Sequence, residues 1–96
     1  MLENLVYLEL KRRGNKVYVG KAGDTEIDFV TKKGTELAYY QVSASILDET
    51  TRKRELEAFS NIKDNYPKYI LTLDDYDFGS LDGIQQKNII EWMLEE

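Results

Sequence analysis

The sequence predicts an α/β domain of the mixed α+β kind, with a central mixed sheet flanked by helices in the order αβββαβ. Three observations predict it. Thr25–Thr31 alternates in the strand manner, Lys32-Lys33-Gly34 supplies a turn, and Leu37–Ser43 returns rich in aromatic and β-branched residues, so this stretch reads as a β-hairpin. Leu2, Leu5, Val6, Leu8 and Leu10 recur at helical spacing ahead of it. Behind it, a helical stretch opening at Asp48 leads to the short apolar run KYILTL, whose length suits an interior strand.

Taken in order, the first helix starts at Leu2 with no capping residue before it, and Gly14 is its expected stop. Such an abrupt start is expected of a piece of a longer protein. The centre of its apolar stripe falls on Glu9, so a carboxylate is expected to face the core, where it needs a partner. Lys16–Lys21 is the first strand, with Val17 and Val19 inward, and Ala22-Gly23-Asp24 is a turn. In the hairpin, alternation puts Glu26, Asp28 and Val30 on one face and Ile27 and Phe29 on the other; Tyr39, Gln41 and Ser43 share a face of the return strand. Asp48 is an N-cap for a helix expected to run to about Lys63, with Leu56, Phe59 and Ile62 toward the core. Its early basic run, Thr51-Arg52-Lys53-Arg54, opposes the helix dipole. Asn65-Tyr66-Pro67 ends it. After the strand Lys68–Leu73, residues 74–80 read as an acidic loop that lacks the ligand spacing of a calcium loop. Gly83–Asn88 is a last edge strand and Ile89–Leu94, with Trp92, a closing helix.

Composition narrows the function. The chain has 96 residues, enough for one modest core, and 42% of them are hydrophobic, as in a globular domain. It contains no cysteine and no histidine, so disulfides, thiolate sites, zinc sites and imidazole bases are excluded, and a reducing, cytoplasmic home is expected. No membrane-spanning run is present. The net charge of −5 argues against a free-standing nucleic-acid binder, although it divides into +2 for residues 1–54 and −7 for residues 55–96. Contact with a polyanion would have to use Lys11, Arg12, Arg13, Arg52, Lys53 and Arg54.

An acid late in one strand, followed by a polar-x-polar pair in the next, is the layout of a metal-dependent nuclease site. With the element order, Glu9, Asp28 in EIDFV and Gln41-Val42-Ser43 make the chain resemble the restriction-endonuclease-like PD-(D/E)xK superfamily. More closely, LENLVYLELKRRGNKVYVGKAGDTEIDFV, YYQVSASI, TRKRE and NYPKYILTLDD resemble a C-terminal domain that follows the P-loop module in bacterial and archaeal AAA-type ATPases. The resemblance implies catalytic positions at Glu9, Asp28, Gln41 and Ser43, and a site for Mg²⁺ at Asp28, Gln41 and Glu9. It also implies ATP bound only by the P-loop module, and this chain has no GxxxxGK[ST]. Yet position 41 is a neutral glutamine where a metal-binding carboxylate belongs, and Ser43 stands where the cation should be. The expectation is therefore a degenerate, non-catalytic accessory domain that contacts its own ATPase module, a protein partner, nucleic acid or a second copy of itself. The alternative is an Mg²⁺-dependent DNA or RNA endonuclease. Glu9, Asp28 and Gln41 are expected to converge in either case, as a site or as a buried polar network.

Overall fold

The computed structural model describes residues 1–76, 78 and 80–95. The described residues form three helices and six strands. Helix α1 (Leu2–Arg12) is followed by strands β1 (Lys16–Ala22), β2 (Thr25–Lys33) and β3 (Glu36–Val42). Helix α2 (Glu49–Glu57), strand β4 (Lys68–Thr72), a two-residue strand β5 (Ser80–Leu81), strand β6 (Ile84–Asn88) and helix α3 (Ile89–Leu94) complete the chain. They build one mixed sheet in the order β1-β2-β3-β4-β6-β5. The β1–β2–β3 meander is antiparallel, β4 joins β3 in parallel through α2, and β6 is parallel to β4.

Each face of the sheet has its own core. On one face α1 and α3 cover Val6, Leu10, Phe29, Tyr40, Val42, Leu71, Ile89 and Trp92. On the other, α2 and the turns after it cover Ile27, Ile46, Ala58, Phe59, Ile70 and Ile84. Neighbours Ile70 and Leu71 in β4 therefore serve opposite cores, and both are wholly buried. Burying one such side chain contributes about 1.5–3 kcal/mol, so a strand buried on both faces suits an unbroken apolar run.

Several expectations are corrected. The alternation through β2 breaks at a β-bulge: Tyr18 pairs with Val30 but Gly20 with Ile27, so Asp28 and Phe29 together oppose Val19. Ile27 and Val30 thus share the α2 face while Phe29 moves to the α1 face. Val19 is exposed instead of inward, because it lies on the outermost strand opposite the bulge. In α1 only Val6, Glu9 and Leu10 are buried; Leu5 and Leu8 reach solvent. Helix α2 ends at Glu57, six residues short of Lys63, and Phe59, Ser60 and Ile62 continue as tight turns bonded three residues back. Leu56, Phe59 and Ile62 still reach the core from those turns. The strand near the C-terminus is not the edge, since β5 lies outside it. In the acidic loop, Asp77 and Gly79 lie outside the described residues.

Candidate functional site

The site lies where the β2–β3 ladder stops. Backbone pairing between these strands ends at Phe29 opposite Tyr40, within the bulge that β2 forms against β1. Beyond it, side chains replace the ladder. The Asp28 backbone N–H donates to Gln41 Oε1 at 2.6 Å, and the Val42 N–H donates to Asp28 Oδ2 at 2.9 Å. The other end of the Gln41 amide, Nε2, donates to Glu55 Oε1 on α2 at 3.1 Å. Gln41 is buried and therefore clamps sheet to helix with both ends of its amide engaged.

Electrostatics make the cluster unusual. Burial pushes the Asp28 carboxyl above its ordinary range, and the nearby charges of Glu3 and Glu26 add to this, against the Val42 N–H. Glu55 is raised as well, first by burial and then by the charges of Asp28 and Glu3, partly opposed by Arg54 at 3.8 Å. The charge of Glu3 on α1 thus acts on both Asp28 of β2 and Glu55 of α2, and Gln41 bonds the Asp28 N–H and the Glu55 carboxylate. Among the side chains acting on Asp28 and Glu55, Arg54 is the cation, and it is 70% exposed, so solvent screens it.

Glu9 is buried as the stripe required, but it belongs to a different structure. Arg12 donates to both of its oxygens at 2.9 and 2.7 Å, and Arg13 adds a bond at 2.7 Å. The hydrogen bonds from Arg12 and then Arg13 hold its pKa down at about 2. The α1 acid that acts on Asp28 is Glu3, six residues away, or about 9 Å along a helix axis. The expected convergence therefore holds for Asp28 and Gln41 and is corrected for Glu9. Ser43 donates its hydroxyl to the Ser45 carbonyl at 2.9 Å, which closes its own loop.

The basic residues divide similarly. Arg13 lies over the Trp92 ring at 4.5 Å and donates to the Trp92 carbonyl, which locks α1 to α3. Arg52 donates to the Ile46 and Leu47 carbonyls and covers the Phe78 ring at 4.4 Å. Arg54 pairs with Glu55, its chain neighbour. With Arg12 on Glu9, three of the six expected phosphate contacts serve the fold, Arg54 makes a solvent-screened pair with Glu55, and Lys11 and Lys53 point into solvent.

A hard divalent ion would draw on oxygens of Asp28, Gln41, Glu55 and Glu3. These residues do not fit it. Asp28 Oδ2 and Gln41 Oε1 already accept backbone N–H groups, and among the described residues no three acidic groups stand close enough to hold a metal. Glu3 and Glu55 escape a motif-based reading because neither follows the strand pattern; their role comes from packing. Asp74 escapes it too. Its Oδ2 accepts the Ile46 N–H at 2.8 Å and its carbonyl accepts from Asn88 Nδ2 at 3.3 Å, which ties the loops after β3 and β4 to the β6–α3 junction.

No family model matches this chain. It is similar to an uncharacterized protein of Haemophilus influenzae, 40% identical over 94 residues, which cover 98% of this chain and 23% of that protein. It is also similar to an uncharacterized protein of Methanocaldococcus jannaschii, 37% identical over 101 residues, covering 95% of this chain and 22% of that protein. The chain thus spans less than a quarter of the length of the curated relatives it matches. Among the described residues, no helix is long and apolar enough to cross a membrane.

Proposed function

We propose that this chain is a non-catalytic interaction domain with a restriction-endonuclease-like core, the C-terminal accessory part of a larger prokaryotic AAA-type ATPase. The observation that carries the reading is Gln41, whose amide bridges the Asp28 N–H and the Glu55 carboxylate. An amide in that position satisfies a buried network, whereas a carboxylate there would face Glu55 and Asp28 without a neutralising ion. The αβββα order, with a parallel strand following α2, supports the nuclease-like core. The two much longer relatives support a place within a larger polypeptide, and what that polypeptide does with ATP belongs to the same proposal.

Calorimetric titration with Mn²⁺ and a cleavage assay on DNA and RNA test it together. The expected results are no saturable binding tighter than about 1 mM and no cleavage beyond a Glu9→Ala, Asp28→Ala control. Gln41→Glu with Ser43→Lys is expected to gain measurable Mn²⁺ affinity, since it adds a carboxylate beside Asp28 and Glu55. Cleavage by the natural sequence that is lost in Asp28→Ala overturns the reading in favour of the nuclease.

A further inference from the structure

At the carboxyl ends of the parallel strands β3, β4 and β6, the loops after β3 and β4 and the start of α3 lie together. The Leu73 N–H donates to the Ala44 carbonyl at 3.0 Å, and Asp74 binds both Ile46 and Asn88, so these segments are fastened side by side. From them emerge Leu47, Leu73 and Ile90, which are 56%, 45% and 54% exposed. Exposed apolar residues scattered singly need no explanation, but a group carried by two loops and a helix start that are cross-linked does. The charge around the group is predominantly acidic, with Lys87 beside Asp75 and Glu91 and Arg52 beside Leu47 as the basic exceptions. Asp48, Glu49, Asp75 and Glu91 are exposed on the same segments, and the nearby Arg52 is held on the Ile46 and Leu47 carbonyls and over Phe78. Apolar side chains in an acidic frame repel phosphate backbones and attract a polypeptide with leucine-like side chains flanked by Lys or Arg.

We infer that this face docks a basic amphipathic polypeptide segment. The inference rests on the reading of the chain as an interaction domain and names the partner's chemistry. The apolar trio supplies buried area and the acidic frame supplies orientation and association rate. The loops need little rearrangement to bind, because the Asp74 bonds hold them in place before a partner arrives.

The test uses a 14-residue helical peptide of Leu and Lys, followed by fluorescence anisotropy and by amide chemical shifts of the 96-residue chain. A scrambled peptide of the same composition and a Leu/Glu counterpart serve as controls, with a DNA duplex as a fourth probe. Shifts confined to residues 44–49, 73–76 and 88–91 are expected, with affinity falling as salt is raised. Leu47→Ser, Leu73→Ser, Ile90→Ser and, separately, the charge reversal Asp75→Lys, Glu91→Lys should each weaken binding about tenfold or more. The charge reversal touches only exposed side chains, so it tests the face even where the triple variant fails to fold. Equal binding of the scrambled or acidic peptide, shifts centred elsewhere, tighter DNA binding at this face, or concentration-dependent self-association through it would each overturn the inference. The Mn²⁺ and cleavage assays report separately: nuclease activity sinks the non-catalytic reading, whereas absent peptide binding in an inactive protein sinks only this one.

Discussion

Glu9 and Glu55 are both partly enclosed carboxylates, yet they pull the pH dependence of stability in opposite directions. Glu9, held at about 2 by Arg12 and Arg13, is depressed below its ordinary 4.5. Its contribution is fully present above 4.5 and is lost as pH falls toward 2. Glu55 is raised by burial and by Asp28, so the folded state binds its proton more tightly than the unfolded chain does. Its ionisation therefore costs stability, a cost absent at low pH that sets in as pH rises through the folded value. Glu9→Gln is expected to lose about 1–2 kcal/mol at neutral pH, discounted because Arg12 stays solvated, and the loss should vanish in strong acid. Glu55→Gln keeps an acceptor for Gln41 while removing the charge, so it is expected to match or exceed the parent at neutral pH. Urea melts across the acid range check both. An unchanged acid limb in Glu9→Gln, or a clear loss in Glu55→Gln, contradicts the assignment of the two carboxylates.

Strand β2 shows how one element is shaped by a residue on its neighbour. The bulge at Asp28 and Phe29 turns Phe29 toward α1 and leaves Asp28 at the end of the ladder, where its carboxylate reaches the Val42 N–H. Gly20 makes room for it. A Cβ at that position would collide with the Val30 side chain and crowd Ile27, so the glycine is needed for space, not for an unusual backbone angle. Gly20→Ala is expected to destabilise by about 1–3 kcal/mol through overpacking. It should also disturb the amide signals of Asp28 and Val42, which report the two bonds between β2 and β3 beside the bulge. A midpoint within error of the parent in denaturant melts would mean that β1 shifts freely and that the bulge is not pinned there.

For the whole molecule, the uneven charge matters less than where the cations are used. Residues 1–54 carry a surplus of +2, but Arg12, Arg13 and Arg52 hold Glu9, the α3 end and the β3–α2 loop. Duplex DNA is therefore expected to bind weakly, with a shallow salt slope corresponding to about two or three phosphate contacts. Submicromolar affinity at physiological salt, measured by anisotropy, would show that these arginines leave their partners. The α+β class, the hairpin, the N-cap at Asp48, the buried strand around Ile70 and Leu71, and the burial of Glu9 were all legible in the sequence. Each depends on local pattern or on periodicity, which a single strand or helix carries by itself.

What Glu9 faces was beyond that reach, because a stripe specifies that a residue points inward but not which neighbour awaits it. The sequence by itself determined the order of the main elements and the burial of Val6, Glu9, Leu10, Ile70 and Leu71. Only the tertiary structure decided that Glu3 and Glu55, from two helices on opposite faces of the sheet, act on Asp28 while Glu9 does not. It also decided that a bulge re-aims β2 and that Asp74 ties the loops after β3 and β4 to the start of α3. The physical reason is that these depend on distances across the sheet, set by the packing of both cores at once, and no periodicity along the chain encodes them.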